Sequence, residues 1–350
     1  MKLATFQVQT PVGPFDRFGI VLLDGGGAEA VSASRSGRGR IVDVNSACGA
    51  MLADSGHLTA AARARALAPA NLRSFAEIHE TDLGLLQEIL DWALKHPDAK
   101  GVHGEQLFFD LADVTLRPPV TRVDIIRDFA AFEDHLQNTF GKMGIAIPEE
   151  WYEAPMAFKA NPTMLYGHDD PVRWPAYTEK MDYELEIAAI IGREVQDIEL
   201  DQAENAILGY TLLNDFSARD TQRGEMRNNT GPFKGKDFAW VLGPWIVTPD
   251  ELGDPSNLAM QVVVNDEVWA SSSPGAMKWS FPEMVAYTAQ DERLNIGDVF
   301  GSGTVNQGCG FEIDRWIKEG DVVELEAEKI GVLRNEVLPR RGEKISWRRN

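Results

Sequence analysis

Residues 182–192 read DYELEIAAIIG. The apolar, β-branched run closed by a glycine predicts a strand over Tyr183–Ile191. A period of two puts Glu184 and Glu186 on one face, with Leu185 and Ile187 on the other. Two like charges side by side repel, so the pair needs something to neutralise it. Alternation alone also suits a solvent-facing edge strand. The other reading is a divalent cation held by oxygen ligands, as magnesium or calcium prefers.

Further acids lie on either side of this stretch. Asp128 lies in VDIIRDFAAFEDHL, ahead of a predicted helix over Ala130–Phe140 that carries His135. Asp215 lies in LLNDFSARDTQ, where an apolar run ends and a carboxylate is well placed to project into a cleft. Either aspartate could equally be a turn or helix-capping residue. Arg219, Gln222, Arg223, Arg227, Lys234 and Lys236 follow closely in an otherwise acidic chain. Such donors beside a cation suit an anionic, oxygen-rich small molecule. The glycines of GPFKGK let backbone approach a ligand, but the GxxxxGK[ST] phosphate loop is absent.

The remainder of the chain splits in texture. At about 150 residues per domain, 350 residues suggest two. Residues 1–120 read as a small lead domain, with strands at Thr5–Val8, Gly19–Leu23 and Arg40–Val44 and helices at His57–Ala68 and Phe75–Lys95. Pro-bearing Leu116–Val120 marks the boundary. Residues 121–350 are β-rich, with strands at Ile246–Thr248, Met260–Val264, Val299–Phe300 and Val322–Ala327, a tight turn at Asn265-Asp266, and a helix at Phe281–Thr288. The fold class is α+β. A net charge of −20 repels phosphate backbones and anionic lipid, which excludes nucleic acid and membrane surfaces as partners. The two cysteines, Cys48 and Cys309, imply small buried residues rather than a disulfide framework. With an N-terminus that lacks a secretory apolar core, they point to the cytoplasm. The basic last residues read as a solvated or subunit-contacting tail.

Taken in order, RDFAAFEDH (127–135), YELE (183–186), NDFSARDTQ (214–222), GPFKGKDF (231–238), LGPWIVT (242–248), GSGT (301–304), GCGFE (308–312), GDVVELE (320–326) and IGVLRNEV (330–337) resemble the fumarylacetoacetate hydrolase superfamily. The resemblance covers about 125–338. It implies a β-rich roll of mixed sheets, preceded by a small β-containing domain, and a homodimer with its site near the subunit contact. It places metal ligands at Asp128, Glu184, Glu186 and Asp215, for magnesium first and manganese or calcium as alternatives. It places the catalytic histidine at His135 and its partner glutamate at Glu312, after a shorter connecting loop. Arg219, Gln222 and Lys236 would polarise and hold the substrate carbonyl, and Gly303 and Thr304 would touch the substrate. Phe158 stands where the hydrolases have a tyrosine, and Lys159 would take over as an anion contact. The activity implied is hydrolysis of a C–C bond in a small anionic β-diketo acid, such as an acylpyruvate or a fumarylacetoacetate-like compound. The same site could instead decarboxylate, isomerise or dehydrate a 2-oxo acid. A non-catalytic scaffold with a structural cation is a third reading, disfavoured by the donors around the acids.

Overall fold

The computed structural model describes residues 1–25, 30–228 and 231–343. The strand expected over Tyr183–Ile191 spans Leu185–Ile191 and is not an edge: LEIAAII is buried along its whole length, with antiparallel partners on both sides. Its position organises the molecule. In chain order the principal strands are β1 (Lys2–Thr10), β2 (Gly13–Leu23), β3 (Gly39–Asp43), β4 (Phe108–Asp110), β5 (Ile126–Phe129), β6 (Ala157–Ala160), β7 (Leu185–Ile191), β8 (Ile207–Asp215), β9 (Trp240–Val247), β10 (Met260–Val264), β11 (Glu267–Ser272), β12 (Val299–Gly301), β13 (Val322–Ala327) and β14 (Gly331–Leu338). Along the main, twelve-stranded sheet the order is β4-β3-β2-β1-β9-β8-β7-β12-β5-β6. It is mixed, because β12 runs parallel to β5. A second, five-stranded sheet runs β11-β10-β13-β14 and ends on the short strand Val172–Arg173. The α+β class with a mixed-sheet roll is therefore observed. Main-sheet pairing also joins strands from either side of the Leu116–Val120 segment: β1 pairs β9, with Lys2 opposite Val247.

Alternation along β7 divides the core. Ile187, Ala189 and Ile191 face a cluster that includes Val262, Leu325 and Leu333 of the second sheet. Ala188 and Ile190 face the other, which contains Ala47, Phe75 and Ile89 of the amino-terminal helices. Glu186 has the parity of Ala188, so the helix-covered face leads into the acids. Those helices depart from expectation in two places. Instead of one helix over Phe75–Lys95 there are two, Leu72–His79 and Gly84–Lys95, broken where Glu80 adopts φ 54°. An additional helix, Val44–Asp54, follows β3 directly, with the Asp43 carboxylate accepting from the Ser46 N–H at 2.8 Å. The Asn265-Asp266 turn is as expected: both residues have positive φ, 51° and 65°, as a two-residue hairpin loop requires. Helix Phe281–Thr288 is also as expected, with a capping box from Ser280 and Glu283. Cys48 and Cys309 are both buried and free. Of the basic tail, residues 334–350, the last seven lie outside the described residues.

Candidate active site

Three strands deliver the acids. Glu186 comes from β7, Asp215 from the end of β8, and Asp128 from β5, where it pairs Gly301 of β12. All three side chains are buried, and one carboxylate oxygen from each lies within 4.8 Å of the others. Gly301 makes this approach possible. A Cβ there would stand 2.5 Å from Asp128 Oδ1 and 3.0 Å from Glu186 Oε2. Burial lifts Asp128 to about 6 against the opposing pull of Glu186 and Lys236, and burial with neighbouring carboxylates raises Glu186 and Asp215 well above the usual carboxylate range. Among the described residues, Glu186 Oε2 and Asp215 Oδ1 have no hydrogen-bond partner although buried. Buried acceptors are normally satisfied. A cluster of all-oxygen donors with unmet acceptors fits a hard divalent cation.

The fourth expected ligand, Glu184, is placed differently. It is buried, but its Oε1 accepts from Arg219 Nη2 at 2.8 Å and its Oε2 bonds Lys236 Nζ. Burial alone would raise its pKa, but Arg219 and Lys236 outweigh that and hold it below the usual range. Lys236, itself buried, also bonds Asp215 Oδ2 and so links Glu184 to the three-acid cluster. Gly303 N–H donates to Asp128 Oδ1 at 3.2 Å, and Thr304 Oγ1 lies 3.5 Å from Glu186 Oε1.

Arg219 opens helix Arg219–Arg227, and Gln222, one turn on, accepts from its Nη1 at 3.2 Å. Its Nε donates to Asp182 Oδ2 at 2.8 Å. Asp182 was not singled out from the sequence, though it opens the DYELE stretch. It is fully buried and also accepts from the N–H groups of Gly310 and Phe311, at 2.9 and 3.0 Å. It therefore ties Arg219 to the short helix Gly310–Ile313, which carries Glu312.

His135 lies in helix Glu133–Met143, and its Nδ1 is 2.9 Å from Glu312 Oε2. The other carboxylate oxygen of Glu312 accepts from Asn138 Nδ2 at 3.1 Å and Gln307 N–H at 3.2 Å. Burial works to raise the Glu312 pKa, but His135 and these donors hold it below the usual range. The Glu312 carboxylate orients the ring, and a neutral imidazole donating from Nδ1 keeps a lone pair on Nε2.

A cavity of about 530 Å³ joins these groups. Asp128, Glu184, Glu186, His135, Arg219, Gln222, Lys236, Gly303 and Thr304 all line it. Leu136, Phe140, Met226, Phe311 and Trp316 add apolar surface to its lining. Phe158 also lines it and packs against Trp240, with ring centroids 5.9 Å apart. Lys159 does not reach it. The next residue along β6 points to the opposite face, and its Nζ lies 3.7 Å from Glu292 with the side chain 65% exposed. Cys309 was expected only as a small buried residue. It is one, but its Sγ is 3.4 Å from Glu312 Oε2.

A profile described as the fumarylacetoacetate (FAA) hydrolase C-terminal family matches residues 124–338. The oxaloacetate tautomerase YisK of Bacillus subtilis is 29% identical over 255 residues, 72% of this chain and 81% of that protein. A 2,4-didehydro-3-deoxy-L-rhamnonate hydrolase of Sphingomonas sp. is 32% identical over 209 residues, 59% of this chain and 70% of that protein. In fold, the chain is similar to maleylpyruvate hydrolase from Sphingobium sp. SYK-6, solved with manganese(II) and pyruvate. The TM-score is 0.65 at 22% identity, covering 97% of this chain and all of that one.

Proposed function

The chain belongs to the fumarylacetoacetate hydrolase family, and from that premise we propose that it is a divalent-metal-dependent hydrolase cleaving a C–C bond in a small β-diketo acid. The observation that carries the reading is the His135–Glu312 pair, set at 2.9 Å beside the same cavity that holds the three-acid cluster. Asp128, Glu186 and Asp215 would hold the dication, magnesium before manganese or calcium, with Glu184 alongside them. Bound there, it supplies Lewis-acid polarisation of the substrate's oxygens.

The chain's own groups supply the rest. His135 Nε2 takes a proton from water as that water attacks the acyl carbonyl, and Glu312 stabilises the imidazolium that forms. Arg219, Gln222 and Lys236 hold the carbonyl oxygen while it carries charge, and losing one such donor typically costs on the order of 100- to 1000-fold in rate. When the C–C bond breaks, its electron pair passes to the 2-oxo acid half as an enolate, whose carbon takes the proton that His135 removed from water. The other half leaves as a carboxylic acid. The apolar side chains of Leu136, Phe140, Phe311 and Trp316 in the lining suit the acyl portion. The reading includes a cytoplasmic homodimer acting on a small anionic molecule, and sedimentation of the purified chain tests the dimer.

Phe158 favours a second reading. Without a hydroxyl in the tyrosine's place, the same residues could move a proton between carbon and oxygen, or promote decarboxylation or dehydration, with no attacking water. Mass analysis of products from a panel of β-diketo and 2-oxo acids in ¹⁸O-water separates the two. Hydrolysis gives two fragments with one labelled carboxylate, and His135→Ala should slow it by about 10²- to 10⁴-fold. Unlabelled, uncleaved product from every diketo acid, or full-rate cleavage by the variant, would refute the hydrolase reading.

A further inference from the structure

The metal expected of this site is hard and oxygen-bound, yet a second and chemically different ligand set lies beside it. His135 Nδ1, Cys309 Sγ and a Glu312 carboxylate oxygen all lie within 4.8 Å of one another. They come from two segments of the backbone, His135 from one and Cys309 with Glu312, three residues on, from the other, and are held firmly. His135 is fixed in helix Glu133–Met143. Cys309 forms a backbone bridge with Glu184 and immediately precedes the helix bearing Glu312. Cys309 is fully buried, the Glu312 side chain has no exposure, and only His135, 14% exposed, opens to the cavity. Burial keeps the Cys309 thiol protonated and poor as a nucleophile. A covalent role for it is therefore disfavoured. Coordination is different, because a bound dication displaces the thiol proton outright.

We propose that His135, Cys309 and Glu312 form a binding site for a soft or borderline divalent ion of the zinc class, and that filling it switches the enzyme off. One thiolate, one imidazole and one carboxylate match the ligands zinc takes when three protein groups leave a fourth position open. Thiolate and imidazole favour zinc over magnesium, whereas three carboxylates favour magnesium, so the two sites sort metals by ligand chemistry. The ion reaches the site through the cavity, past His135. On binding, the thiol proton is released to solvent and the imidazole moves its proton from Nδ1 to Nε2. The His135–Glu312 hydrogen bond is replaced by bonds to the ion, and Nε2 can no longer accept a proton from water. Thiolate and carboxylate neutralise the added charge, while Arg219 stays paired with Asp182 and Glu184.

The test uses the full chain in excess magnesium, titrated with zinc and, in parallel, with cobalt(II). The expected result is one zinc per chain not displaced by magnesium, a near-ultraviolet thiolate-to-cobalt charge-transfer band, and loss of any activity found. Cys309→Ser should abolish the band and weaken zinc binding by at least on the order of 100-fold, beyond what loss of an outer partner costs. Cys48→Ser should change neither. Should Cys309→Ser misfold, zinc X-ray absorption on the unaltered chain decides, since the site requires one sulfur ligand at about 2.3 Å. Absence of the cobalt band, an all-oxygen zinc shell, or zinc binding indifferent to Cys309 and competed by magnesium would overturn the proposal. The spectroscopic readouts stand whether or not the chain hydrolyses C–C bonds, so the two readings fail separately.

Discussion

Replacing Gly301 with alanine tests the three-acid cluster without touching an ionisable group. The backbone at Gly301 does not require glycine, since its φ is not among the positive values. The difficulty is space. The new Cβ would meet Asp128 Oδ1 at 2.5 Å, Leu213 Cδ2 at 2.7 Å and Glu186 Oε2 at 3.0 Å. Ordinary contact begins near 3.4 Å, so Asp128 must withdraw by nearly 1 Å. Strand β12 cannot retreat instead, because Gly301 is paired with Ala188 on one side and Asp128 on the other. Moving Asp128 also breaks its bond from Gly303 N–H, a net loss of about 1 kcal/mol. Overpacking of this kind typically costs about 1–3 kcal/mol in all. Magnesium affinity should fall by on the order of 10- to 100-fold, as when groups that orient a metal ligand are displaced. Urea unfolding of the magnesium-free chain and calorimetric magnesium titration measure the two effects. Gly141→Ala is the control: nothing lies within 4 Å of its Cβ, and it sits inside a helix, where alanine gains roughly 0.5–1 kcal/mol. If Gly301→Ala binds magnesium like the parent and unfolds at the same urea concentration, the acids do not converge as described.

Two further outcomes follow from the same geometry. Asp182→Asn should cost about 1–3 kcal/mol in urea unfolding, because it removes one of the two carboxylates paired with the nearly buried Arg219 guanidinium and leaves only Glu184; unfolding at the parent's urea concentration would show that Asp182 anchors nothing. In magnesium-free protein Asp128 ionises near 6 rather than near 3.8. A raised carboxyl pKa means that its share of stability is present below about pH 4 and is lost as the pH rises through 6, up to about 3 kcal/mol. Magnesium must displace that proton, so the rise in melting temperature it produces should be small at pH 5 and grow by pH 7.5. A shift that is flat over this range would contradict the burial assigned to Asp128.

What could be read from the chain, and what could not, has a physical pattern. The helix at Phe281–Thr288 and the Asn265-Asp266 hairpin are set by local chemistry, a capping box and a turn with positive φ, which the sequence displays directly. The Glu184–Glu186 pairing on one face follows from strand period alone. Helix Arg219–Arg227 gave no signal because none of its residues is buried. Helix Val44–Asp54 was obscured for the opposite reason, since its small residues, Ala47, Cys48, Gly49 and Ala50, are buried without a clear polar stripe. At the site, the residue types and chain order were legible, but partner choice was not. That Glu184 turns to Arg219 and Lys236 while Glu186 keeps a bare oxygen depends on which strands neighbour β7. Asp182 and Cys309 belong to the same class: their importance comes from what a distant segment brings against them.

The pairing of β1 with β9 bears on how the polypeptide can be dissected. Excising 124–338, the stretch that matches the family profile, would remove β1 and uncover the Ile246–Val247 end of β9, where the two strands pair. Such a fragment should self-associate through that bare flank. Insolubility of the excised piece would then reflect a missing seam and would say nothing about its chemistry.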